Sequence, residues 1–62
     1  MYYIQHNGTK RYALVCQGVV QEYINWMDNP RYANSYLTFK AADKELHFYQ
    51  VVNASVVYKE NT

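Results

Sequence analysis

Two glycines, one proline and one cysteine are all that this 62-residue chain contains of those three residue types, and each scarcity removes something. A lone cysteine, Cys16, excludes a disulfide within the chain, so the staple that supports many domains of this size is missing. Two isolated glycines, Gly8 and Gly18, leave no phosphate-cradling loop. Charge of one sign is lacking too: six basic residues face five acidic ones, a formal net of +1. That is neither the basic field of a dedicated nucleic-acid binder nor the acidic surface of a nucleic-acid mimic. No stretch approaches the roughly 20 apolar residues of a membrane span, and the opening MYYIQHNGTK has neither the basic start nor the apolar run of a secretory signal. A cytoplasmic protein without membrane contact is the expectation. The triplets Asn7-Gly8-Thr9 and Asn53-Ala54-Ser55 match a glycosylation pattern, but turn chemistry accounts for both.

What is present is apolar and aromatic. Half the residues are hydrophobic and eight are tyrosines, which argues for a folded chain. Each Tyr offers a broad ring and a hydroxyl that tolerates a wet boundary, suited to sheet packing or to a contact surface. Residues 1–62 form one domain. A chain this short buries only about 60% of its unfolded surface, and such a core rarely supplies more than about 3–5 kcal/mol. Self-association into a homodimer is the simplest further source of stability.

Tyr2 to His6 and Lys10 to Cys16 are rich in aromatic and branched residues around Asn7-Gly8, the pair suited to the positive φ angles of a type I′ turn, and predict a β-hairpin. The second strand is apolar on both faces from Tyr12 to Cys16, as a central, doubly covered strand is. In SYLTFKA, Leu37, Phe39 and Ala41 alternate with polar positions, Ala42-Asp43-Lys44 suits a turn, and in ELHFYQVV, Leu46, Phe48 and Val52 alternate again. SVVYKE follows Asn53-Ala54-Ser55. These read as a three-stranded meander.

The middle admits two readings. A helical projection from Val19 to Met27 gathers Val19, Val20, Tyr23, Ile24, Trp26 and Met27 on one arc. A strand reading puts Val20, Glu22, Ile24 and Trp26 on one face. The β-branched residues and the weak cap Gly18 favour the strand. Either element must end at Asp28-Asn29-Pro30, which leaves 28 to 35 as the longest loop.

Leu37 to Lys40, Asp43-Lys44, Leu46 to Gln50 and Asn53 to Glu60 together resemble the closing strands of small β proteins encoded by phages and other mobile elements. In those proteins the segment before the meander is usually a strand, which supports the strand reading of 19 to 26. The resemblance implies a phage or mobile-element origin. The fold expected is mainly β, a small antiparallel rolled sheet or barrel of five or six short strands. The alternative is α+β: a hairpin, one helix at 19–28, then a three-stranded meander.

Chemistry is sparse. Cys16 with His6 or His47 could form a thiolate and base, but a cysteine between Val15 and Gln17 reads as a small core hydrophobe. No carboxylate pair suggests general acid and base, and His6, Cys16 and His47 lack zinc-ligand spacing. No catalytic residue, metal or cofactor is assigned, and the chain is read as a non-enzyme. Trp26, Met27, Arg31 and Tyr32 surround Pro30, and Trp, Tyr and Arg are enriched at interface hot spots. They are the expected partner-binding residues, with Ile24 and Trp26 in the core and Arg31 and Tyr32 exposed. The function expected is protein interaction, with itself and with another protein, inhibition of a host protein being one form of it. The second reading is a β-barrel binder of single-stranded nucleic acid, using Tyr3 and Tyr12 as stacking rings beside Lys10 and Arg11; the weak net charge counts against it.

Overall fold

The computed structural model describes residues 1–60. Along the chain lie β1 (Tyr2–His6), β2 (Tyr12–Cys16), β3 (Tyr23–Met27), a short 3-10 turn (Pro30–Tyr32), α1 (Phe39–Phe48) and β4 (Ala54–Tyr58). The strands make one antiparallel sheet in the order β3-β2-β1-β4, curled into a half-barrel. The protein is therefore mainly β, but with four strands among the described residues rather than five or six, and its helix lies at 39–48 rather than 19–28.

The first hairpin forms where its composition places it, with different turn chemistry. Gly8 has no positive φ; the left-handed residue is Lys10, at φ 64°. Lys10 N–H donates to the His6 carbonyl at 2.9 Å, and His6 N–H to the Arg11 carbonyl at 2.8 Å, so four residues make the loop. His6 supplies the reason: its Nδ1 accepts from the amides of both Gly8 and Thr9, each at 3.1 Å. Those two bonds favour an open loop over the two-residue turn that Asn7-Gly8 suggested.

β3 pairs with β2 over five positions, from Tyr12 with Met27 to Cys16 with Tyr23. This register, not the helical projection, satisfies the backbone of Tyr23 to Met27. Asn29 then accepts from Arg31 N–H at 2.9 Å and caps the 3-10 turn that Pro30 begins.

β1 and β4 also pair over five positions, but β1 and β2 diverge after Gln5 and Tyr12. The segment 34–36 fills the opening. Asn34 N–H donates to the Ala13 carbonyl at 3.1 Å, its side-chain oxygen accepts from Val15 N–H at 2.6 Å, and Tyr2 and Tyr36 exchange backbone bonds of 2.8 and 2.9 Å. Asn34 thus supplies to β2 what a neighbouring strand would.

The largest departure from the sequence reading is residues 37–48. The alternation Leu37, Phe39, Ala41 and the turn at 42–44 do not form strands; Phe39–Phe48 is helical. Thr38 caps it, its hydroxyl accepting from Ala41 N–H at 3.1 Å, and Ala41-Ala42, Lys44, Glu45 and Leu46 are strong helix formers. The far end closes on a Schellman motif: Gln50 N–H donates to the His47 carbonyl at 3.1 Å and Val51 N–H to the Leu46 carbonyl at 3.0 Å. Gln50 occupies the left-handed position at φ 52°. The residues that carried the likeness to phage-encoded β proteins are thus helical from Phe39 to Phe48, and only Ala54–Tyr58 forms a strand there.

α1 packs on β1 and β4, its Phe39 ring edge-on to Tyr2 with centroids 6.2 Å apart. Ala42 is fully buried, as are Ile4 and Ala13; Ile4 shares the Tyr2 face by alternation. Tyr3 and Tyr12 point to the opposite face, also buried, their rings edge to face at 5.8 Å. Both faces of β2 are buried at Tyr12 and Ala13, but Leu14, Val15 and Cys16 are only half-buried, so the double cover expected from Tyr12 to Cys16 holds at the start of the strand alone.

Candidate protein-interaction surface

The β2–β3 connection presents the two most exposed large apolar residues among those described. Val19 and Val20 retain 104% and 93% of their maximal accessible surface. Local geometry keeps them outward. A Cβ on Gly18 would strike the Gln21 carbonyl oxygen, so the chain turns back on itself there in a way only glycine allows. At the base of this loop one carboxylate oxygen, Glu22 Oε2, accepts from Gln17 Nε2 at 2.9 Å and from the Tyr49 hydroxyl at 3.0 Å. The second bond ties the hairpin to the C-terminal end of α1. It also raises the Tyr49 pKa, chiefly because the hydroxyl donates to Glu22, with burial a lesser cause.

Beside this brace lies an open groove of about 370 Å³, lined by Tyr36, Ala41, Lys44, Glu45, Phe48 and Tyr49. The helical spacing of Ala41, Lys44, Glu45 and Phe48 places them along one stripe of α1. Phe48 is largely exposed, its ring edge-on to Tyr49 at 4.9 Å. Leu37, just before the helix, and Val52, just after it, are more exposed still. The Tyr36 hydroxyl has its pKa raised, first by burial and second by the nearby Glu45 carboxylate. The groove is apolar in its walls and carries one charge of each sign, Lys44 and Glu45, on its helical side.

The residues singled out in sequence divide as follows. Trp26 and Met27 are half-buried at the end of β3, and Ile24 is half-buried on the same strand. Trp26 lies beside Ala13 in the register, and that small residue lets its ring reach over β2 to His6, edge-on at 5.1 Å. Arg31 and Tyr32 are exposed on the 3-10 turn, which Arg11 anchors nearby through a 2.8 Å ion pair to Asp28. Lys10 and Arg11 are exposed, but Tyr3 and Tyr12 are only 5% and 6% accessible, so stacking a base on either would require its ring to leave the core. Val19, Val20, Leu37, Phe48 and Tyr49 were not singled out as contact residues. Gly18-Val19-Val20-Gln21, an apolar pair between a glycine and a polar residue after a strand, is the signal that could have marked the first two.

Catalytic arrangements are sparse at the surface. Cys16 is half-buried with its Sγ 3.7 Å from the Leu14 carbonyl, and His47 meets Asp43 at 3.4 Å on an exposed turn of α1. Among the described residues no three His, Cys, Asp or Glu side chains are grouped as metal ligands, and no helix is long and apolar enough to cross a membrane. Comparison of the chain with protein-family models, with curated proteins and with solved structures finds no match.

Proposed function

We propose that this chain is a non-enzymatic interaction protein that associates with itself and works by surface contact with another protein. The observation that supports the reading is the balance of apolar side chains. Among the described residues five hydrophobic ones are buried, whereas Val19, Val20, Leu37, Phe48 and Val52 are each at least 70% exposed. A scattered exposed aliphatic residue is ordinary, but an apolar pair at a hairpin tip, beside a groove walled by Phe48 with Leu37 and Val52 flanking its helix, supports reading a contact surface. Burying them on association adds the stability that a core of this size lacks.

Light scattering after size exclusion tests this, with and without a mixed single-stranded oligonucleotide, at low and at moderate salt. A dimer indifferent to the oligonucleotide is the expected result. A monomer whose mass rises with oligonucleotide at low salt and falls back as salt increases would sink the reading in favour of nucleic-acid binding.

A further inference from the structure

We infer that the occupant of the Tyr36–Phe48 groove is the β2–β3 hairpin tip of a second copy of this chain, docked reciprocally so that each Val19-Val20 pair fills the other copy's groove. The inference rests on the self-association proposed above and specifies its surface.

Two observations and one rule of symmetry carry it. The protrusion and the groove are neighbours on one molecule, because Tyr49 both walls the groove and donates to Glu22 at the hairpin base. A twofold dimer needs a self-complementary patch, with a projection and a recess side by side, so that one rotation seats both tips at once. The tip is also held ready. Gly18 permits the turn, and the Gln17–Glu22–Tyr49 bonds brace the base of the loop in the free chain, which lowers the ordering cost of docking.

Size and charge agree with that occupant. Two valine side chains fit an open groove of about 370 Å³ with room for the walls to close. If six side chains per copy leave water, roughly 600 Å² is buried on each and roughly 1,200 Å² in all, the lower end of stable, specific interfaces. Lys44 forms no ion pair among the described residues and stands at the groove wall. Glu22 engages Gln17 and Tyr49 through Oε2 alone, which leaves Oε1 for a cation. Seating the tip of one copy in the groove of the other brings these opposite charges together.

The test compares the wild-type chain with the double variant Val19→Ser, Val20→Ser and with Ala41→Arg, by light scattering over a concentration series to roughly 100 µM, above the Kd expected of a small interface. The wild type is expected to be a dimer with intermolecular NOEs from Val19 and Val20 methyls to the Phe48 and Tyr36 rings in an isotope-filtered spectrum. Both variants are expected to weaken the dimer by about 100-fold, the loss of a hot-spot cluster, with circular dichroism unchanged. Should Ala41→Arg unfold the chain, the valine pair decides alone, since neither valine packs within the monomer. A dimer that survives the valine substitutions overturns the docking and leaves self-association standing. So does a dimer whose Tyr23–Met27 amides become protected through edge-strand pairing without the NOEs. A wild-type monomer across the series overturns both.

Discussion

Gln50→Gly should make this protein more stable, although it removes a side chain and adds no contact. Gln50 sits at φ 52° in the Schellman motif that ends α1, a left-handed position that glycine occupies without a steric penalty. A residue with a Cβ loses about 1–2 kcal/mol there. Glycine gives part of that back by loosening the unfolded chain, about 0.4–1 kcal/mol, and Gln50 is exposed, so no packing is lost. The net gain is about 0.7 kcal/mol, which for a domain of this size raises the melting midpoint by about 3–6 °C. Urea titration and thermal circular dichroism read the effect, at one fixed protein concentration because association shifts apparent stability. Gln50→Ala keeps the Cβ and should fall within about 0.5 kcal/mol of wild type. If the glycine variant is no more stable than the alanine variant, the left-handed geometry at residue 50 is not what closes the helix, and the account of α1 fails.

Removing the cap at the other end of α1 with Thr38→Ala should cost about 1 kcal/mol in the same titration, while Thr38→Ser should retain most of it, because only the oxygen that accepts from Ala41 N–H matters. Gly18→Ala should destabilise by about 1–3 kcal/mol, since its Cβ meets backbone rather than a yielding side chain; hydrogen exchange should locate the loosening at residues 17–23. Stability should decline in alkali. The Tyr36 pKa is raised in the folded state, so its contribution is complete below the unfolded value of roughly 10 and is lost as pH rises through the folded one. Tyr36→Phe should flatten that decline in urea midpoints measured above about pH 9.5.

The parts of the fold legible in the sequence are those where pattern and neighbours agree. β1, β2 and the end of β3 at Asp28-Asn29-Pro30 follow from branched and aromatic runs and one proline. Leu37 to Phe48 misled because its apolar positions satisfy two periods. Leu37, Phe39 and Ala41 alternate as a strand does, whereas Phe39, Ala42 and Leu46 recur as one helical face. The arbiter is local: the Thr38 cap and the run of helix formers from Ala41 to Leu46. The hairpin turn was misjudged because the decisive group, His6 Nδ1, belongs to the preceding strand and satisfies two amides that a turn rule assigns to the turn itself. The proposed contact surface was legible in half. Arg31 and Tyr32 are exposed as their setting suggested, but Val19 and Val20 read as part of a strand over 19–26, or else of a helical arc, whereas β3 begins only at Tyr23 and leaves both in the connection.

Those two valines also show why exposure here is not simply the residue of a small core. A flexible loop with an apolar tip can fold back on its own body and shed water from it. This one is braced against that at its base, where Glu22 accepts from Gln17 and Tyr49, beside a turn that Gly18 permits because a Cβ there would meet the Gln21 carbonyl. The same Tyr49 ring walls the groove that an apolar tip would fill, so the bond that braces the loop also sets protrusion and recess side by side. In the docking proposed above, two matching surfaces held apart on one chain would meet on two, and the apolar excess of these 62 residues would then drive association rather than burden the monomer.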